Sequence, residues 1–294
     1  MKKLLFIINP NAGKMRAKSY VLNIIQTFSK EGYVVTVCPT EYSGHCAEIA
    51  EKNAADYDQI LCCGGDGTFN EVIQGVMNSG VDIPVGYIPA GSTNDLATSL
   101  KLPKSINKAA QFVAKNPSKK FDLGYFDNNK YFSYIASFGA FTETSYNTPQ
   151  QLKNTLGHLA YILEGARALG NIYSFDMKIN YDGNIIEDEF IFGAVLNTKS
   201  MGGIMRLNKQ NINFNDGIFE FLLIRNPNNV ADLTTTINCL MSQKFDSKNV
   251  LLFPASNITI ECDTPVDWSI DGELYKGNKN VNIRVIKDAL NLIY

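Results

Sequence analysis

The sequence predicts an α/β domain built on a parallel sheet, followed by a second domain that is β-rich and largely antiparallel. Three observations predict it. Roughly the first hundred residues alternate short apolar runs with amphipathic stretches. After about Leu123 the rhythm changes to short strand-like segments separated by turn signals. The length, 294 residues, suits two ordinary domains better than one large one. The boundary is expected between 1–123 and 124–285; no flexible linker or low-complexity tract separates them.

In the first part the strand candidates are Lys3–Ile8, Tyr33–Cys38, Gln59–Cys63 and Val85–Pro89. Between them lie helix candidates Lys18–Glu31, His45–Asn53, Thr68–Asn78 and Thr93–Leu100. The first and third strands are nearly all apolar, as expected of strands covered by helices on both faces. Strands alternating with helices imply βαβ units with right-handed crossovers.

In the second part the strand candidates are Tyr131–Phe138, Phe175–Tyr181, Ile185–Leu196, Gly217–Ile224, Asn257–Glu261 and Asp267–Ile270. The turns Asp127-Asn128-Asn129, Tyr181-Asp182-Gly183 and Asn215-Asp216-Gly217 punctuate them. Two helices interrupt the strands, Gln151–Leu169 and Val230–Met241. The first carries a stripe of Leu156, Leu159, Ala160, Leu163 and Ala166, read as packing rather than as a membrane-facing surface. His158 beside it is read as a surface or packing histidine, and Trp268 as core. The chain closes with Asn280–Lys287 and Ala289–Tyr294.

Composition narrows the function. A net charge of -2 argues against a nucleic-acid binder, which usually carries a basic domain or stripe. Any contact with anionic lipid must then come from a local patch. The six cysteines form no CxxC pair and only two histidines exist, so zinc spacing is absent and reduced thiols in the cytoplasm are expected. Lys2-Lys3 before an apolar run imitates a signal peptide, but Asn9-Pro10-Asn11 ends that run too soon. No segment approaches the roughly 18 apolar residues of a membrane span.

Three glycine-bearing loops follow strands: Asn9-Pro10-Asn11-Ala12-Gly13-Lys14, Gly64-Gly65-Asp66-Gly67-Thr68 and Pro89-Ala90-Gly91-Ser92-Thr93-Asn94-Asp95. In open α/β sheets ligands bind beyond the carboxyl ends of the strands, so the three should converge at one edge. Glycines let backbone N–H groups approach phosphate oxygens. Asp66 among them makes sense if Mg²⁺ bridges carboxylate and phosphate. Alone, the first loop reads as a turn and the third as a helix N-cap. Three glycines around one Asp exceed what a strand-to-helix turn requires. Neither the G-x-G-x-x-G fingerprint nor the P-loop pattern is present.

The run Gly64-Gly65-Asp66-Gly67-Thr68-Phe69-Asn70-Glu71-Val72 resembles the signature of the diacylglycerol kinase catalytic-domain family, which includes sphingosine and ceramide kinases. Asn9-Pro10 with Gly13, the 89–95 loop, Phe121-Asp122-Leu123-Gly124, Asn215-Asp216-Gly217 and Asp271-Gly272-Glu273 stand in the family's order. The resemblance implies a nucleotide-binding first domain like that of NAD kinases and diacylglycerol kinases, with residues 286–294 packing back on it, and a lipid-substrate domain after it. It implies ATP as phosphoryl donor, Mg²⁺, and a diacylglycerol-like lipid met peripherally at the inner face of the membrane; a homodimer is compatible with it.

By the same resemblance Asn9, Thr40 and Gly64, Gly65, Asp66, Gly67 and Thr68 bind the nucleotide, with Ser92 and Asn94 nearby. Asp66, Asp95 and Asp122 match acids that organise the catalytic Mg²⁺ through water. Asp216 and the carbonyl of Ile218 match a second, structural Mg²⁺ site, with Asn213 standing where relatives often carry a basic residue. Glu273 matches the general base. Asp271 and Glu273, two apart, share a face if that stretch is a strand, whereas Asp271-Gly272 also reads as a type I′ turn. The competing readings are an NAD kinase-like enzyme, which shares the GGDG loop, and a catalytically silent nucleotide- or lipid-binding regulator.

Overall fold

A computed structural model describes residues 1–13, 16–139, 173–197, 200–201, 205–206, 213–242 and 245–294. They form two compact units, Met1–Leu123 with Lys287–Tyr294, and Gly124–Ile286. The expected helix Gln151–Leu169, with His158, lies outside the described residues, as does most of 197–213 apart from two short strands.

The first unit contains β1 (Lys2–Ile8), α1 (Val21–Lys30), β2 (Tyr33–Pro39), α2 (His45–Asn53), β3 (Gln59–Gly64), α3 (Asp66–Ser79), β4 (Pro84–Pro89), α4 (Asp95–Ser99), α5 (Ile106–Lys115) and most of β5 (Lys119–Phe126). β2, β1, β3 and β4 pair in parallel in that spatial order, and the C-terminal residues Asn291–Ile293 add a further parallel strand beside β4. Every residue of β3 is buried, because helices cover both faces. Ile24 and Phe28 of α1 pack with Ala109, Ala110 and Val113 of α5 against Phe6, Leu61 and Ile88. α2 and α3 approach each other so closely that a Cβ on Gly75 would lie 2.2 Å from the carbonyl oxygen of Ala47.

The second unit contains β6 (Lys130–Phe132), β7 (Ile135–Gly139), β8 (Phe175–Tyr181), β9 (Asn184–Leu196), β10 (Ser200–Met201), β11 (Met205–Arg206), β12 (Phe219–Arg225), α6 (Val230–Ser242), β13 (Asp246–Ser247), β14 (Val250–Ala255), β15 (Asn257–Cys262), β16 (Trp268–Ile270), β17 (Glu273–Tyr275) and the start of β18 (Asn280–Ile293). The main path runs β13-β14-β12-β9-β8-β15-β18 with antiparallel pairing. β7 also pairs β9, β16 pairs β7, and β17 pairs β16. The core is aromatic: Trp268, 1% exposed, meets Phe126 and Phe138 with ring centroids 5.0 and 4.9 Å away. Trp268 is therefore a packing residue.

Two of the expected strand readings are segmented differently. The single strand expected over Tyr131–Phe138 is broken at Ser133-Tyr134 into β6 and β7, since Asp271 takes the backbone N–H groups there. The two expected closing segments are one strand, β18, with Asp288 in the left-handed region at φ 53 where the break was read.

Candidate functional site

The three glycine loops of the first unit touch one another. The Ala90 N–H donates to the Gly64 carbonyl at 2.7 Å. Gly91 lies so near the second loop that a Cβ on it would fall 2.6 Å from the Cα of Gly65. Gly13, at φ 57, comes so close to the third loop that a Cβ would stand 2.0 Å from the Ala90 oxygen. Its glycine identity follows from both the backbone region and the contact.

Side chains tie the same edge together. The Asn9 amide donates to the Thr68 hydroxyl at 3.1 Å and its carbonyl oxygen accepts the Asn11 N–H at 2.9 Å. The Thr40 N–H donates to the Ile8 carbonyl at 2.9 Å, which sets Thr40 beside the end of β1. Asn94 is left-handed at φ 54 and does not cap α4 with its side chain. Instead its amide closes the third loop, accepting from the Gly91 N–H at 2.9 Å and donating to the Gly91 carbonyl at 2.8 Å. Beneath it the buried Tyr87 hydroxyl reaches Asn94 Oδ1 and the Gly64 carbonyl, each at 3.4 Å. Burial pushes the Tyr87 phenol well above its ordinary range, and the neighbouring Asp66 charge adds to that. Ser92 is exposed on the same loop.

Asp66 opens α3 and Asp95 opens α4. The backbone N–H of Asp95 donates to Asp66 Oδ2 at 3.1 Å, so the two carboxylate-bearing loops are joined directly. Among the described residues no three His, Cys, Asp or Glu side chains approach closely enough to enclose a metal. The carboxylates of Asp66 and Asp95 on the joined loops would suit Mg²⁺, which keeps several waters and shares one or two carboxylates with substrate phosphates. Asp122 is placed differently: 1% exposed, it accepts the Asp288 N–H at 2.7 Å.

Glu71, which follows the second glycine loop on α3, has a distinct position. From α3 its carboxylate accepts the Gly44 N–H at 2.8 Å, the Cys46 N–H at 3.3 Å and the Ser43 hydroxyl at 3.3 Å. It thereby caps α2, whose own N-cap, Gly44, has no side chain to do so. The capped segment follows Thr40, so Glu71 links the second glycine loop to the Thr40 loop.

In the second unit, Asp271 and Glu273 do not share a strand face. Asp271 and Gly272 are both left-handed, at φ 46 and 89, and form the tight turn between β16 and β17. The Asp271 carboxylate accepts from Ser133 N (2.8 Å), Ser133 Oγ (3.0 Å), Tyr134 N (3.0 Å) and Ile135 N (2.9 Å). Glu273 opens β17, partly exposed, and pairs with Lys130 at 2.7 Å. Asp216 and Ile218 are exposed, and Asp216 Oδ1 accepts the Ile218 N–H at 3.1 Å, a local turn. The described residues assemble no metal cluster around it.

The six cysteines are unpaired. Burial pushes Cys46 and Cys63 up to about 12 and Cys62 well above the ordinary thiol range, so these three stay protonated and inert.

Known proteins share this fold. Residues 3–126 match the model of the diacylglycerol kinase catalytic domain, and residues 137–294 match the YegS C-terminal NAD kinase beta sandwich-like domain. A diacylglycerol kinase of Bacillus subtilis (strain 168) is 30% identical over 275 residues, 93% of this chain and 90% of that one. A diacylglycerol kinase of Staphylococcus aureus (strain MRSA252) is 32% identical over 284 residues, 96% of this chain and 89% of that one. The crystal structure of a candidate diacylglycerol kinase from Bacillus anthracis (strain Sterne) superposes with a TM-score of 0.82 at 25% identity, covering 100% of this chain and 95% of that one. The parallel first unit and β-rich second unit are thus a fold shared with solved relatives, and the chain belongs to the diacylglycerol kinase family, a family of kinase-type phosphotransferases.

Proposed function

We propose that this chain transfers the γ-phosphoryl group of ATP to the hydroxyl of a diacylglycerol-like lipid, giving a phosphatidic-acid-type product. The observation that carries the reading is the joined pair of loops, Gly64–Thr68 and Pro89–Asp95, with Asp95 N–H on Asp66, in a chain of this family. In the proposed reaction the lipid oxygen forms a bond to Pγ, the bond from Pγ to the bridging oxygen breaks, and ADP leaves. Glu273 takes the hydroxyl proton. Phosphoryl transfer runs through a loose transition state, so positioning and charge neutralisation matter more than covalent chemistry.

The chain's own residues divide that task. Backbone N–H groups of the glycine loops, with Asn9, Thr40, Thr68, Ser92 and Asn94 around them, cradle the nucleotide. Mg²⁺, when bound, would neutralise phosphate charge, and Asp66 and Asp95 are the residues that would hold it through water. Asp122 would support them from within the unit. Asp216 with the Ile218 carbonyl is proposed for a second Mg²⁺. Among the described residues no helix is long and apolar enough to cross a membrane, and we propose that the enzyme meets its lipid peripherally at the inner face of the membrane.

The test is ADP release from Mg·ATP with a mixed-micelle panel of diacylglycerol, phosphatidylglycerol, sphingosine and ceramide, and with NAD in solution. Lipid-dependent turnover that disappears in Asp66→Ala and Glu273→Ala supports the reading and identifies the acceptor. Turnover with NAD alone overturns it.

A further inference from the structure

We infer that Lys130 is a positioning residue that fixes Glu273, an inference that rests on the reading of Glu273 as the base. The two residues lie 143 positions apart in sequence, yet Lys130 Nζ stands 2.7 Å from Glu273 Oε2. The pair is not a chance meeting of two mobile chains. Lys130 is only 23% exposed and opens β6, where its backbone is in register with Phe126 of β5. Glu273 begins β17 directly after a turn in which Asp271 and Gly272 are both left-handed.

The backbones of both partners are locked to each other. Three residues beyond Lys130, the Asp271 carboxylate takes the N–H groups of Ser133, Tyr134 and Ile135 and the Ser133 hydroxyl. The Asp271 N–H in turn donates to the Ile135 carbonyl at 2.8 Å. Asp271 therefore fixes the hairpin that carries Glu273 against the bend that follows Lys130, and Lys130 then fixes the carboxylate itself.

This arrangement does something for catalysis that it does little for stability. An ion pair with one partner 46% exposed contributes little to folding, because water screens it. A partly exposed glutamate on its own samples several rotamers, and ordering it at the moment of reaction has an entropic cost. Lys130 removes that freedom in advance. It engages Oε2, leaving Oε1 to receive the proton of the lipid hydroxyl as the O–Pγ bond forms.

The experiment compares wild type with Lys130→Met, Lys130→Arg and Glu273→Gln in the lipid kinase assay, with thermal melting of each. Lys130→Met is expected to lower kcat about tenfold or more, within the hundredfold-and-above contribution of a general base. The KM for ATP and the melting temperature should stay within error, and Lys130→Arg should recover most of the rate. An impaired Glu273→Gln beside an unimpaired Lys130→Met overturns the positioning role alone. So does a Lys130→Arg variant as slow as Lys130→Met, or a rate loss matched by a lowered melting temperature. A fully active Glu273→Gln, or a wild type without lipid turnover, overturns the reading of the base and this inference with it.

Discussion

The backbone N–H of Asp288 donates to the buried carboxylate of Asp122 at 2.7 Å, joining β5 to the last strand across 166 residues. Asp288 reaches this position by adopting φ 53 within β18, a region that Asp tolerates better than most residues. The bond adds to the parallel pairing of Asn291–Ile293 with β4 in holding the closing segment in the first unit.

Removal of that acceptor deletes a hydrogen bond to a buried carboxylate, which contributes about 1.5–3 kcal/mol. Asp122→Ala should therefore lower the urea midpoint clearly, and Asp122→Asn, which keeps an acceptor oxygen, should lower it less. Equal midpoints for wild type and Asp122→Ala would show that the bond contributes nothing. If Asp122→Asn folds as the wild type does yet loses turnover, the charge itself serves the reaction.

Asp66→Asn separates charge from structure at the glycine loop. The amide retains an oxygen for the Asp95 N–H, so the loops should stay joined. Electrostatic stabilisation of the transferring phosphoryl group should fall, lowering kcat on the order of a hundredfold or more. Circular dichroism and melting are expected to match wild type. A variant with near-normal kcat would remove Asp66 from the catalytic machinery.

Glu71 makes a different prediction, because it acts on a loop rather than on phosphate directly. Glu71→Ala deprives the Gly44 and Cys46 N–H groups and the Ser43 hydroxyl of their acceptor. Loss of a helix cap costs about 1 kcal/mol, and the Thr40 loop should loosen. The expected result is a modest fall in melting temperature with a several-fold rise in KM for ATP. An unchanged KM would mean that the Thr40 loop does not depend on this cap.

The particular residues show why some of this was legible in the sequence and some was not. β3 announces itself because each of its residues is buried, so no polar alternation dilutes the apolar run. α5 passed unnoticed because its buried face consists of Ala109, Ala110 and Val113, small residues that make a faint stripe. β14 was hidden by Pro254, which reads as a breaker yet sits opposite Glu220 of β12 near the strand's end. β17 has three residues, too few for any period to show. The glycine loops and Asp66 were legible because their chemistry is local. The partners of Glu71, Asp271 and Glu273 lie 25 or more residues away, and nothing local encodes them.

Asp182 should contribute to the acid sensitivity of the second unit. This residue turns the β8–β9 hairpin at φ 47 and accepts from Ser256 N (2.9 Å), Ser256 Oγ (2.8 Å) and Asn257 N (2.9 Å), tying that hairpin to the loop before β15. Slight burial pushes its carboxyl up, but the hydrogen bonds from Ser256 and Asn257 outweigh this and hold it below the usual carboxylate range. A folded value depressed below the unfolded one stabilises the protein above the ordinary Asp range, about pH 4, and that contribution is lost as pH falls through the folded value. Asp267 is shifted in the same direction by the Gly277 N–H and by Lys276, and Glu189 by Ser174 and Asn226. Urea denaturation followed from pH 7 down to pH 3 measures the effect. Asp182→Asn should be less stable than wild type at neutral pH, and the gap should narrow toward pH 3. A gap that stays constant over this range would assign the loss to geometry and remove Asp182 from the titration.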